Sequence, residues 1–134
     1  MARNNANIWN GIKTFLEAYT AAPALIKYGG DSFDPPGPNV PYWIVDYIPA
    51  LPERLYYAGD DPHWNTGTVV VGCMIPIVWT DLQTQEYAGA IADYFAPDTE
   101  MGLVRVGGQP MVSSGFRDGD RFRVPVVVSW EGFV

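Results

Sequence analysis

Apolar residues along this chain change their spacing from segment to segment. Ile8, Ile12, Phe15, Leu16 and Tyr19 fall at i, i+4, i+7, i+8 and i+11, one face of a helix. Asn5 or Asn7 is placed to cap that helix and Pro23 to stop it. From Tyr42 to Ile48 the spacing becomes two: Trp43, Val45 and Tyr47 share one face of a strand, while Tyr42, Ile44, Asp46 and Ile48 share the other. Both faces carry apolar groups, as in a strand covered on two sides or used at an interface. Pro49 and Pro52 end it, and Leu55 to Tyr57 reads as a short further strand.

The second half is more regular. Thr68 to Ile77 is an almost unbroken apolar run and predicts the central strand, with Gly72 leaving room for close packing or a bulge and Pro76 marking its end. Thr80-Asp81-Leu82-Gln83 predicts a capping box, and Asp81 suits the positive end of the helix dipole. Thr84, Ala88, Ile91, Ala92 and Phe95 form the stripe this helix should bury, and Pro97 terminates it. Leu103 to Val106 opens another strand, which Gly107-Gly108 interrupts and which resumes near Met111. The Asp118-Gly119 pair predicts a hairpin turn. Beyond it Phe122, Val124, Val126, Val128 and Trp130 alternate with Arg121, Arg123, Pro125, Val127 and Ser129, the clearest period of two in the chain. Strand, capped helix and hairpin make a β-α-β-β body with no recognisable catalytic set along it, which points to an assembly component.

Composition narrows the classes. A chain of 134 residues reads as one domain spanning 1–134 and is long enough for a substantial core. Its formal charge of −7 argues against a dedicated nucleic-acid binder, which needs a basic footprint. A single Cys73 within an apolar run allows no intrachain disulfide and suggests no thiolate metal site. The N-terminus lacks a signal-peptide core, and no apolar run approaches the roughly 20 residues of a membrane span. The expectation is a soluble protein made in a cytoplasm, with no membrane contact.

Candidate chemistry is sparse. Asp60, Asp61 and the sole His63 could together ligate a metal or form a base, giving a small metal-dependent hydrolase as the alternative of a different class. Their spacing matches no metal motif, and a solvated turn is the plainer account. Ser113 and Ser114 lack a nucleophile elbow, and Gly107-Gly108 lacks the Lys and Ser/Thr of a phosphate loop, so a turn or bulge accounts for it better. No cofactor, metal site or catalytic residue is expected. The aromatics Phe33, Tyr42, Trp43, Tyr56, Tyr57 and Trp64 crowd a Pro/Gly-rich half that cannot bury all of them, and aromatics in loops favour interfaces. Arg117, Arg121 and Arg123 around the hairpin could meet phosphate or a partner's carboxylates, although Arg121 and Arg123 also lie on the polar face of an alternating strand. A monomeric ligand-binding domain using the aromatic loops is a third possibility.

Three features carry a resemblance over nearly the whole chain: the Tyr42-Trp43-Ile44-Val45…Ile48-Pro49-Ala50 strand, the helix ending Ala92-Asp93-Tyr94-Phe95, and the final strand Arg121-Phe122-Arg123-Val124-Pro125-Val126-Val127-Val128. In order and texture the chain resembles the tail-terminator, or tail-completion, proteins of long-tailed bacteriophages. It departs from them in the acidic, aromatic loop Gly59–Gly67. The resemblance implies an α+β fold, a small antiparallel or mixed sheet packed by an N-terminal helix and one central amphipathic helix. It also implies a non-enzymatic virion protein of the tail or neck, assembled in the bacterial cytoplasm. Such a protein would cap the tail tube as a homohexameric ring, end tube polymerisation and offer a surface to the head–tail connector. DNA would pass through the lumen without specific binding, and acidic residues facing it would repel phosphates. A stopper or adaptor of the head–tail joint is the near alternative. The residues expected at subunit or tube contacts are Trp43, Tyr56, Tyr57, Trp64, Arg117, Arg121 and Arg123.

Overall fold

The computed structural model describes residues 2–20, 26–28, 37, 40–49, 64–119 and 121–133. In chain order these form α1 (Ala2–Glu17), β1 (Ile26–Tyr28), β2 (Tyr42–Pro49), β3 (Trp64–Pro76), α2 (Asp81–Tyr94), β4 (Glu100–Met101), β5 (Val104–Val106), β6 (Met111–Val112), β7 (Phe116–Asp118) and β8 (Arg121–Phe133). The fold is α+β, as expected. The sheet runs β1-β2-β3-β8-β5-β4, with β6 and β7 also pairing β8. Among the described residues it is mixed only at its first edge, where β1 lies parallel to β2; the other described pairings are antiparallel.

The two 13-residue strands β3 and β8 form the spine, paired without a break from Trp64↔Phe133 to Pro76↔Arg121. Their alternation settles which face is interior. Val69, Val71, Cys73 and Ile75 on β3 and Val124, Val126, Val128 and Trp130 on β8 are buried, joined by Trp43 and Val45 of β2. Onto this face α1 brings Ile8, Ile12 and Leu16, and α2 brings Ala88, Ile91 and Ala92 with Phe95 just past its end. Burying each of the Val, Ile, Leu and Phe side chains contributes roughly 1.5–3 kcal/mol, while Ala88 and Ala92 let α2 lie close to the sheet.

Local signals explain most boundaries. The α2 start holds the capping box: Gln83 N donates to Thr80 Oγ1 at 3.2 Å, and Thr80 N donates to Gln83 Oε1 at 2.9 Å. The α1 start differs from expectation. The helix begins at Ala2, so Asn5 and Asn7 lie within it rather than capping it. It stops at Glu17, short of Pro23, through a tightened last turn in which Tyr19 N donates to Leu16 O at 3.2 Å. Strand β3 starts at Trp64, before the expected Thr68, because residues 64–67 pair with 130–133 at the far end of β8. Gly72 sits in regular register between Ile44 and Pro125 and is no bulge. The expected short strand at Leu55 to Tyr57 falls outside the described residues.

Facing the second edge of β8, the chain from Val104 to Asp118 runs in three pieces. Four residues, 107–110, stand opposite two, and three residues, 113–115, stand opposite two more. The Gly107-Gly108 run is therefore part of a bulge, with Gly107 N donating to Ser129 O at 2.8 Å. Pro125 fits in the middle of β8 for the same reason. Its carbonyl accepts from Ser113 N at 2.9 Å, so its missing N–H faces this interrupted edge and not the unbroken ladder to β3.

Candidate functional site

Residues expected at contacts occupy very different environments. The Trp43 side chain is 1% exposed. Its Nε1 donates to Tyr87 Oη at 2.9 Å and its ring stacks on Tyr19, so the indole is a core group with no free surface in this fold. Burial pushes the Tyr87 phenol up to about 12, against the opposing effect of the Trp43 bond. Trp64 opens β3 opposite Phe133. Tyr56, Tyr57, Asp60, Asp61 and His63 fall outside the described residues. Among the described residues no group of three or more His, Cys, Asp or Glu is placed to hold a metal ion.

The three arginines do not form one cluster. Arg121 is 3% exposed rather than solvated. Its Nη1 and Nη2 donate to Val40 O and Gly37 O at 2.6 and 2.7 Å, and its guanidinium lies 4.7 Å from the centre of the Tyr42 ring. Two carbonyls and an aromatic face replace the water that this charge gives up. Arg123 reaches across β3 on the same outer face towards Asp46 of β2, at 3.8 Å. It passes over Gly72, where a Cβ would lie 2.9 Å from Arg123 Nε, so the glycine makes way for the guanidinium. Arg117 pairs with Phe122 and therefore belongs to the opposite, helix-bearing face. It is exposed, with Nε donating to Gly119 O at 3.1 Å.

Surfaces with contact potential lie at the two ends of the β3–β8 spine. At the end holding Pro76 and Arg121, the turn into α2 exposes Ile77, Val78 and Leu82 by 47, 75 and 68%. Ile77 lines a cleft of about 260 Å³ together with Trp79, Thr84, Arg117 and Phe122. Sequence reading passed over them, although Leu82 lies off the α2 stripe and Ile77-Val78 follow a strand-ending proline.

At the opposite end, the β4–β5 turn abuts α1. Gly102, with φ 75°, approaches Gly11 so closely that a Cβ on it would lie 3.0 Å from the Gly11 Cα. On one side of this turn is an open groove of about 440 Å³ lined by Asn10, Gly11, Thr14, Phe15, Ala18 and Gly102. On the other is a cleft of about 490 Å³ bearing Asp98, Glu100, Leu103 and the Arg105–Glu131 ion pair, at 3.3 Å. No described helix is long and apolar enough to cross a membrane.

Comparison with known proteins fits this architecture. A solved structure whose name carries no functional description is similar to this chain, with a TM-score of 0.62 and 21% identity over 95% of this chain and 91% of that one. That likeness is one of fold. No curated protein matches. The sequence matches the family described as phage tail terminator protein over residues 7–130, from α1 to Trp130 of β8. The chain belongs to that phage tail terminator family, a structural component of a bacteriophage tail.

Proposed function

We propose that this protein forms a single domain that assembles as a homohexameric ring on the last ring of the tail tube, ends tube growth and presents its far surface to the head–tail connector. The observation that carries this reading is the family match over residues 7–130. The surface chemistry supports it: large apolar side chains stand exposed at one end of the spine and an open groove lies at the other, as expected of a subunit that meets neighbours. The formal charge of −7 suits a lumen through which DNA slides, since acidic walls repel phosphate. Assembly takes place in the host cytoplasm, and the protein remains in the virion at the tail–neck boundary. Arg117 and Arg123 remain candidate contact residues, together with Tyr56, Tyr57 and Trp64.

The test is solution mass by light scattering over a wide concentration range, with negative-stain imaging, alongside complementation of a phage lacking the gene. Rings of about six subunits and tails restored to uniform length are expected. Protein that neither assembles nor ends tails would overturn the reading. Copurification with filled heads in place of tails would assign it to the stopper or adaptor side of the joint.

A further inference from the structure

The geometry points to a head-to-tail contact between copies of this chain, in which the Ile77-Val78/Leu82 projection of one subunit seats in the groove between α1 and the β4–β5 turn of the next. It deepens the ring assembly proposed above and rests on that reading.

Three observations carry it. First, the projection is a contiguous apolar patch: Ile77, Val78 and Leu82 leave on the order of 300 Å² of mostly apolar surface in water, the size of the largest patch on a typical monomer, which is often functional. A standard interface takes about 800 Å² from each partner, with its centre the most apolar part, so this patch has the size of such a centre. Second, the groove is open and offers apolar surface, with Gly11, Phe15 and Ala18 among its lining residues and Leu103, 52% exposed, on the adjoining turn. The close approach of Gly11 and Gly102 keeps side chains from filling it. Third, charge falls on opposite ends. Exposed Arg117 borders the projection, while exposed Asp98 and Glu100 border the turn beside the groove. Asp81, also near the projection, faces the positive end of α2.

Placement then decides the symmetry. The projection follows Pro76, opposite Arg121, and the groove end holds Gly132 against Leu103 and Val104. Along β8 the two ends lie about 36 Å apart. Used once per subunit pair, a contact joining two different surfaces is heterologous and closes into a ring or runs on as a filament; a two-fold dimer would instead make it twice, each projection in the other's groove.

The test uses two double variants of the full chain. Val78→Asp with Leu82→Glu disables the projection, and Ala18→Trp with Leu103→Arg disables the groove; all four positions are exposed, and melting curves verify the fold. Each variant alone is expected to be monomeric under conditions where the wild type forms rings. Mixed in equal amounts they should give a dimer and nothing larger, because each brings one intact end. As a second measurement, Val78→Cys and Ala18→Cys proteins should form an oxidised cross-link when mixed and none with themselves. Either double variant assembling like the wild type, or a mixture that neither dimerises nor cross-links, overturns the contact. A protein carrying both Val78→Cys and Ala18→Cys that ends tails normally yet gives no 78–18 cross-link on them also overturns it while leaving the tail function standing. Wild type that neither assembles nor ends tails removes both.

Discussion

At the scale of single residues, the interior is sensitive to one added methyl and to one ionised thiol. A Cβ on Gly67 would sit 2.3 and 2.6 Å from carbons of the Trp130 ring and 2.7 Å from Ile48 O. Because Trp130 is sandwiched between that glycine and a stacked Tyr47, it cannot move aside freely. Gly67→Ala should therefore destabilise by about 1–3 kcal/mol, read as a lower denaturant midpoint with an unchanged slope. Cys73 behaves differently: burial pushes its thiol from an ordinary 9.0 up to about 12. A group whose folded pKa is raised stabilises fully below its unfolded pKa and loses that contribution as pH rises through the folded value. Cys73 and Tyr87, both raised by burial, should make stability fall between about pH 9 and about pH 12. Comparing unfolding at pH 8 and pH 11 checks the sign. Maleimide labelling of the native protein at pH 8 should be slow and become fast on unfolding.

At the scale of elements, what the sequence makes legible is what is local. The α2 cap needs only four consecutive residues, and its buried stripe only their helical spacing, so Thr80, Gln83, Thr84, Ala88, Ile91, Ala92 and Phe95 all stand where the sequence puts them. Thr80→Ala should cost about 1 kcal/mol by removing the Oγ1 acceptor, measured by thermal unfolding. Gln83→Ala should cost less, since Thr80 N can turn to water. Long-range facts were not legible. Arg121 occupies a nominally polar strand position, yet its burial depends on carbonyls more than 80 residues away at Gly37 and Val40. In sequence Trp43 reads as an interface residue because it stands in an aromatic run; only the fold brings Tyr87 to its indole N–H. Strand β1 is three residues long and parallel to β2, too short for any periodicity to announce it. Of the contact surfaces, the arginine hairpin was legible as a motif, whereas its division between two faces follows from the Arg117↔Phe122 and Phe116↔Arg123 register.

For the whole molecule, the two ends of the spine have unlike chemistry, one projecting and apolar, the other grooved and bordered by carboxylates. An assembly held mainly by apolar burial responds weakly to salt. Raising ionic strength from about 0.1 M to about 1 M shortens the screening length from about 10 Å to about 3 Å. Ring mass by light scattering should persist across that range, with at most a modest rise in the protein concentration needed. Dissociation at high salt would instead show that the Arg117 and Asp98/Glu100 charges dominate the contact.

The interrupted run from Val104 to Asp118 has a consequence for how the sheet is protected. A continuous 13-residue partner along β8 would carry on its far side a matching row of unpaired amides and carbonyls, an open invitation to another chain's strand. Here that border consists of pieces two or three residues long, kinked between by Gly107-Gly108 and by residues 113–115. No incoming strand finds more than a few groups in line before the path bends away. Straightening it, by deleting two of residues 107–110 and one of residues 113–115, would leave the core intact and yield a protein prone to cross-β aggregation, visible as thioflavin-positive fibres.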